Sequence, residues 1–193
     1  MATPRTTTSD DRTAHIMRTT LELAQEVGYS SLSMEAVAAR AGVGKHTVYR
    51  RWSSKGALFL DSVLTLHTGD LDYPDTGDVV ADVKRQIHDA VDLLGAPAVA
   101  PLFRGLVAEA QRDQDVAAAL RTRFVEPQKR KTAARLAAAR DAGQVTADAD
   151  VELAMDTLSG PLYFRFLVTQ EPVTHDVVDR IVDALFDGLR PRS

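Results

Sequence analysis

A short basic segment, residues 38–58, carries the clearest chemical signal in this sequence. It reads AARAGVGKHTVYRRWSSKGAL and contains five Lys or Arg residues, no acid, and both Tyr49 and the only Trp, Trp52. The whole chain is acidic, with a formal net charge of −4 at pH 7 and a pI near 5.7. The charge is divided unevenly, since residues 1–56 carry +3 and residues 57–193 carry −7. Such a division predicts that one end of the chain meets a phosphate polyanion.

Other chemistries have little support in the composition. The chain has no cysteine, so the sequence contains no disulfide, thiolate metal site or cysteine nucleophile. The five histidines are scattered and form no i, i+4 pair with another metal ligand. No nucleophile–base signature, glycine-rich phosphate loop or paired-carboxylate motif is present, which predicts no enzyme activity, no cofactor and no metal. The polar N-terminus and the lack of a long apolar run predict a cytoplasmic protein with no membrane partner.

The elements that position the basic segment are all expected to be helices. Ala, Leu, Arg and Glu are plentiful and alternating β patterns are absent, so the predicted fold class is all-α. The first helix is expected over residues 10–27, with a buried stripe of Ile16, Thr20, Leu23 and Val27. An amphipathic helix is expected later in the chain, with Val80, Val83, Ile87, Val91 and Leu94 on its buried face.

The chain is expected to divide at GDLDYPDTGD, residues 69–78. Two Gly, one Pro and four Asp in ten positions are typical of a loop. We therefore predict an N-terminal three-helix domain over residues 10–68 and a C-terminal helical bundle over residues 77–190. Pro127 should kink a long helix in the second domain, and Gly160-Pro161 should bend the next helix, which is expected to start near Thr146.

Two short helices joined by Gly42-Val43-Gly44 give the layout of a helix-turn-helix over residues 32–51. Ala38 and Ala41 are small enough for the helices to cross closely, and Ser33 can cap the first of them. The second helix would place its N-terminal end in the DNA major groove, and its flanks suit phosphate oxygens. The residues predicted to contact DNA are Ser33, Gly44, Lys45, His46, Thr47, Tyr49, Arg50, Arg51 and Lys55.

Two neighbours of these residues have other candidate roles. Trp52 is predicted to pack against the first and fourth helices. Arg40 either contacts DNA or pairs with an acid such as Glu35 or Glu26.

Three blocks of sequence in this region share one register. They are I-M-x-T-T-x-x-L-A-x-x-x-G-Y at 16–29, S-M-E-A-V-A-A-R-A-G-V-G-K-H-T-V-Y-R-R-W at 33–52, and S-K-G-A-L at 54–58. Together they resemble the TetR-type transcriptional regulators. The sequence departs from the family at Gly44, where Ser is frequent, and at Arg50-Arg51-Trp52, where many members have a neutral residue, His and Phe. No operator sequence can therefore be carried over from the family.

The resemblance implies a C-terminal domain that binds a small molecule and forms a homodimer through its last two helices, about 148–169 and 174–189. The broad apolar stripe on the final helix also predicts a partner, because it exceeds what one small domain can cover. The predicted dimer residues are Leu158, Leu162, Phe166, Val178, Ile181, Val182 and Leu185. The residues that could line a ligand pocket, or could equally be simple core, are His67, His88, Phe103, Arg104, Phe124, Met155, Tyr163 and Phe164.

The predicted function is that of a homodimeric repressor, released from a palindromic double-stranded DNA operator by a small-molecule effector. One alternative is a non-specific or architectural DNA-binding protein, which would bind random DNA nearly as well as a selected site. Another is a helical protein-interaction module whose helix-turn-helix is incidental, which would not bind DNA at physiological salt.

Overall fold

The computed structural model describes residues 9–65 and 71–189, and within those ranges every regular element is a helix. The predicted all-α fold is confirmed. His67 lies outside the described residues. The α-helices are α1 Ser9–Val27, α2 Met34–Arg40, α3 Lys45–Tyr49, α4 Lys55–Thr65, α5 Val79–Gly95, α6 Ala100–Ala110, α7 Gln114–Leu120, α8 Glu126–Asp141, α9 Val151–Tyr163 and α10 His175–Leu189; two π-helical turns are π1 Arg121–Val125 and π2 Phe164–Thr169.

The helices form two compact units, which we describe separately. The first unit contains the described residues up to 65 together with residues 97–124, so α6 and α7 pack with the N-terminal helices. The second unit contains residues 71–96 and 125–189. The functional boundaries at 10–68 and 77–190 stay a prediction, since compactness alone does not define a binding domain.

The core of the first unit is built on α1 and α4. Ile16, Thr20 and Leu23 of the predicted stripe are buried, and the Thr20 hydroxyl donates to the carbonyl oxygen of Ile16 at 2.8 Å. Val27 was expected on the same stripe, but it is 43% exposed because α1 ends there, beyond the packed core. Phe59 of α4 is fully buried.

The helix-turn-helix is formed by α2, a tight turn and α3. The Ser33 side chain caps α2 by accepting from the backbone N–H of Ala36 at 3.1 Å. Gly42 has φ +65°, a conformation that favours glycine, and it turns the chain between the helices. Val37 and Val48 are fully buried beneath the crossing. Helix α3 ends at Tyr49, two residues earlier than expected.

A close approach between Tyr29 and α6 closes the first unit. A Cβ added at Gly105 of α6 would lie 3.1 Å from the Cβ of Tyr29, so glycine is the residue that fits there. The Tyr29 ring also packs edge-on against Phe59, with ring centroids 5.2 Å apart. The N-terminal helices and α6 therefore share one core.

The second unit is a bundle of α5, α8, α9 and α10. Val83 and Ile87 of the predicted α5 stripe are buried, while Val80 and Val91 pack at its edge. The core also contains Leu136, Ala139, Ala154, Leu158, Val178, Val182 and Phe186.

One ion pair lies inside this apolar core. Arg135 of α8 donates to the Asp82 carboxylate of α5 from Nε at 2.9 Å and from Nη2 at 2.6 Å, and Asp82 is fully buried. Thr76 donates to the same carboxylate from its hydroxyl at 2.6 Å. Burial alone would raise the pKa of Asp82, but the hydrogen bonds from Thr76 and Arg135 outweigh it and hold the pKa below its usual value.

Two prolines interrupt the regular helices of the second unit. Pro127 lies in the first turn of α8, directly after the π-helical turn π1. The α-helix is therefore interrupted close to the position where the sequence predicts a kink. Pro161 lies inside α9, and π2 follows that helix. Helix α9 starts at Val151 and not near Thr146, because Asp150 caps it by accepting from the backbone N–H of Leu153 at 3.0 Å.

Candidate DNA-binding surface

Helix α3 presents a basic face to solvent. Val48 is fully buried and fixes the rotation of the helix. Lys45, His46 and Arg50 are exposed as a result, and Thr47 is half-buried. Gly44 precedes the helix with an extended backbone. Since glycine has no side chain, it cannot accept a capping hydrogen bond from the first backbone N–H groups of α3. This face carries side chains with hydrogen-bond donors, the kind of group that contacts base edges in a major groove.

Tyr49 lies at the end of α3 with its ring 48% exposed. Its hydroxyl donates to the Glu35 Oε1 of α2 at 2.8 Å. This hydrogen bond raises the pKa of the Tyr49 hydroxyl and lowers the pKa of Glu35. Glu35 lies on this surface but is not among the residues predicted to contact DNA, because an acidic side chain does not bind phosphate.

Arg40, considered either for DNA contact or for an ion pair, forms an exposed ion pair. Its guanidinium forms two hydrogen bonds with the Glu26 carboxylate, at 2.9 Å and 2.7 Å. Of the two acids proposed as partners, Glu26 is therefore the one used.

Lys55, which is predicted to contact DNA, is largely covered by neighbouring side chains. Its ammonium lies 3.0 Å from Glu109 Oε2 of α6, and 4.9 Å from the centre of the Tyr29 ring. Its side chain is only 21% exposed. The partner Glu109 comes from a distant part of the sequence, and the contact of Lys55 with DNA stays a prediction.

Trp52 is buried, as predicted, and contributes to packing. Its Nε1 donates to Asp61 of α4 at 2.8 Å, and Arg123 of π1 donates to the same carboxylate oxygen at 2.5 Å. The remaining predicted contacts lie nearby: Ser33 is half-buried as the α2 cap, and Arg51 is half-buried just after α3. The role of these residues in DNA binding stays a prediction.

The residues considered for a ligand pocket are divided between the two units. In the first unit, Phe103 and Phe124 are buried with their ring centroids 5.7 Å apart, and Arg104 is half-buried. In the second unit, Tyr163 is half-buried and Phe164 is 57% exposed. Burial raises the pKa of Tyr163 to about 12. A pocket lined by these side chains stays a prediction.

Met155 lines a shallow hollow of about 210 Å³ on the second unit. The hollow lies between α8 and α9, and its other lining residues are Lys129, Arg130, Ala133, Val151 and Glu152.

His88 belongs to a row of polar contacts between α5 and α10. Its ring stacks on that of His175 with a centroid distance of 3.9 Å. The Nε2 of His88 and Oδ1 of Asp179 are buried and lie 2.9 Å apart without forming a hydrogen bond. The side-chain nitrogen–oxygen distances in this row are 2.7 Å for Lys84–Asp183, 2.9 Å for His88–Asp179 and 2.9 Å for His175–Asp92.

The predicted dimer residues fall into two groups. Leu158, Val178 and Val182 are buried in the core of their own unit, and their part in a dimer stays a prediction. The half-buried members are Leu162, Phe166, Ile181 and Leu185.

Two further observations concern metal binding and membrane crossing. Among residues 9–65 and 71–189, no group of three His, Asp or Glu side chains is placed to hold a metal ion. No single helix in those ranges is long and apolar enough to cross a membrane; only α5 and α6, taken together, reach that length and composition.

Comparison with known proteins gives a family match at each end of the chain. The description "Bacterial regulatory proteins, tetR family" matches residues 16–61. The description "Tetracyclin repressor-like, C-terminal domain" matches residues 73–185.

Individual relatives extend over nearly the whole chain. The HTH-type transcriptional regulator YdeS of Bacillus subtilis (strain 168) is 29% identical over 178 residues, 92% of this chain and 89% of YdeS. A DNA-binding transcriptional repressor TetR of Mycobacteroides abscessus is 28% identical over 180 residues, 90% of this chain and 91% of that protein. The crystal structure of the TetR family transcription regulator SCO0332 is 35% identical, covers 94% of this chain and 100% of its own, and has a TM-score of 0.80.

The fold, the basic helix-turn-helix and the matched families and relatives are those of a helix-turn-helix regulator of transcription. The chain belongs to the TetR family of bacterial regulatory proteins.

Proposed function

We propose that this regulator is a homodimeric repressor that binds a near-palindromic DNA operator and is released by a small-molecule effector. The orientation of α3 carries the proposal: a fully buried Val48 leaves Lys45, His46 and Arg50 exposed on one face. Two such helices in a dimer would enter successive major grooves. The DNA-binding domain would span residues 10–68, and the effector and dimer domain residues 77–190.

The proposed contacts divide into base reading and phosphate binding. Lys45, His46 and Thr47 lie at the N-terminal end of α3, the end that meets base edges in this motif. Tyr49 and Arg51 lie at the other end and suit phosphates. For six to ten phosphate contacts, affinity should fall by roughly a thousandfold or more between about 50 and 200 mM salt.

A homodimer is supported by apolar surface on the last two helical elements. Ile181 and Leu185 of α10 are half-buried although they flank the core. Phe164 and Val168 of π2 are 57% and 65% exposed. Exposed apolar side chains on these elements are what an interface between two copies would cover.

Repression is supported by the relative from Mycobacteroides abscessus, whose name describes it as a DNA-binding transcriptional repressor. One state of the protein fits the operator and another does not. The effector causes release only if it binds the second state more tightly than the first. A regulator that acts on DNA in this way would work in the cytoplasm.

The proposal is tested by selecting bound sequences from a random duplex library at about 150 mM salt. Recovery of a two-fold-symmetric site would establish specific dimeric binding. A library of small molecules would then be screened for release of the selected site. Recovery of no preferred sequence would instead favour a non-specific DNA-binding protein.

A further inference from the structure

Glu35 is an acid placed on the DNA-binding surface itself. It lies in the first turn of α2, is exposed, and accepts the hydrogen bond of the Tyr49 hydroxyl at 2.8 Å. It also lies close enough to Lys45 for an attractive interaction that lowers the pKa of Glu35. One carboxylate therefore acts on a group proposed to bind phosphate and on a group proposed to read bases.

The chemistry of a hydroxyl makes this contact a competition. A tyrosine hydroxyl has one proton to donate, while an ionised carboxylate and a phosphate oxygen are both acceptors only. Tyr49 cannot donate to a DNA phosphate while it donates to Glu35. If Tyr49 binds DNA, the Glu35 contact must break and the carboxylate must stay near the phosphate backbone.

We propose that Glu35 is a negative determinant of DNA affinity, which competes with phosphate for the Tyr49 proton. This inference rests on the proposed DNA-binding function. Glu35→Gln removes the charge at similar volume and weakens the hold on Tyr49. We expect it to tighten DNA binding by about three- to fivefold, a size in keeping with exposed charged pairs.

The experiment separates competition for Tyr49 from simple repulsion by charge. Glu35→Gln is made in the natural sequence and in a Tyr49→Phe background, which has no hydroxyl to release. Binding to a fluorescein-labelled mixed-sequence duplex of about 30 base pairs is followed by anisotropy, since two half-sites need at least one helical turn between their centres. Glu22→Gln is the matched control, because Glu22 is an exposed acid on α1.

The expected result is a gain in affinity for Glu35→Gln that is clearly larger with Tyr49 than with Phe at position 49, and little change for Glu22→Gln. An equal gain in both backgrounds, no gain, or a loss would overturn the inference while leaving DNA binding intact. If the natural protein fails to bind the duplex at any salt concentration, the DNA-binding proposal itself fails and the inference with it.

A second measurement needs no DNA. Alkaline titration of tyrosine absorbance, compared with Tyr49→Phe to isolate this residue, reports the pKa of the Tyr49 hydroxyl. Glu35→Gln should lower that pKa, since the carboxylate contact raises it. An unchanged pKa would contradict the contact on which the inference depends.

Discussion

Cationic side chains on the candidate DNA-binding surface differ in whether they are already paired within the protein. Lys45 and Arg50 are exposed, whereas Lys55 is paired with Glu109 of α6 and lies over the Tyr29 ring. The sequence identifies all three as cations of one basic segment. It does not reveal the partner of Lys55, because that pairing depends on how α6 packs. We therefore expect Lys45 and Arg50 to contribute more to sequence recognition than Lys55.

Lys45→Ala should change which sequence the protein prefers. A side chain that reads a base edge contributes discrimination of about 1–3 kcal/mol at that base pair, so its loss should relax one position of the selected site in each half. Sequencing of bound duplexes from a random library, for the natural protein and the variant, measures this directly.

Lys55→Ala is the control for that substitution, because it removes the same charge from the same domain. We expect it to weaken binding to all sequences about equally. A uniform loss of affinity for Lys45→Ala as well would show that Lys45 contacts phosphate and not bases.

The buried pair of the second unit predicts a large effect on stability. Asp82→Asn leaves the Arg135 guanidinium, whose side chain is only 6% exposed, without its buried charged partner; the remaining carboxylate, that of Asp75, is exposed and lies 3.9 Å away. Breaking a buried ion pair from one side costs about 3–5 kcal/mol in the free energy of unfolding. Urea denaturation followed by circular dichroism measures the loss.

Asp72→Asn is the matched control for Asp82→Asn. Asp72 also pairs with a cation of α8, Lys131, but its side chain is 65% exposed. Exposed pairs contribute at most about 1 kcal/mol, so this variant should be nearly as stable as the natural protein. Equal losses for the two variants would contradict the importance of burial.

The same pair predicts how stability depends on pH. The pKa of Asp82 is lowered in the folded chain, so its contribution is fully present above the usual aspartate pKa and is lost as pH falls through the folded value. Part of the acid destabilisation of the natural protein should therefore be missing in Asp82→Asn. Melting temperatures measured from neutral to acidic pH test the sign.

At the scale of helices, local signals in the sequence were informative. Ser33 caps α2, and Gly42 takes the positive φ of the turn, both because the backbone there needs those residue types. The start of α9 was misplaced because several acids near Thr146 resemble a helix start. Asp150 is the one whose carboxylate caps the helix.

The grouping of helices could not be read from the sequence in the same way. The loop at 69–78 predicts a single boundary, but α6 and α7 pack with the N-terminal helices. That packing depends on the approach of Gly105 to Tyr29 and on the pair between Lys55 and Glu109. Both join positions far apart in the chain, so no local pattern reports them.

Gly105→Ala should destabilise the first unit. The new methyl group would lie 3.1 Å from the Cβ of Tyr29, which is tied to the backbone and has little room to move. Overpacking of this kind costs about 1–3 kcal/mol, partly offset by the better helix propensity of Ala. Thermal unfolding should show a lower melting temperature.

Gly188→Ala provides the comparison for Gly105→Ala. Gly188 also lies within a helix, but nothing is within 4 Å of the position of its added Cβ. The propensity gain, up to about 1 kcal/mol, should then appear without a steric cost. A stabilised Gly105→Ala variant would mean that Tyr29 moves more easily than its packing indicates.

For the whole molecule, the proposed dimer relates the acidic C-terminal part to the basic helix-turn-helix. One recognition helix of five residues, Lys45–Tyr49, has limited contact with DNA. Two linked copies bind far more tightly, since the second contact becomes intramolecular. Operator affinity should therefore depend on residues of α10 that never approach the DNA.

Ile181→Glu tests this dependence. Ile181 is half-buried on α10, so a charge there would oppose association of two copies while leaving Val178 and Val182 in the core. We expect monomers by sedimentation and operator affinity reduced on the order of tenfold or more, with helical content unchanged. Arg180→Ala makes the same change of net charge at a side chain that is 76% exposed, and it should stay dimeric. A monomeric Ile181→Glu variant that bound the operator with full affinity would separate dimerisation from DNA recognition, and the palindrome would then need another explanation.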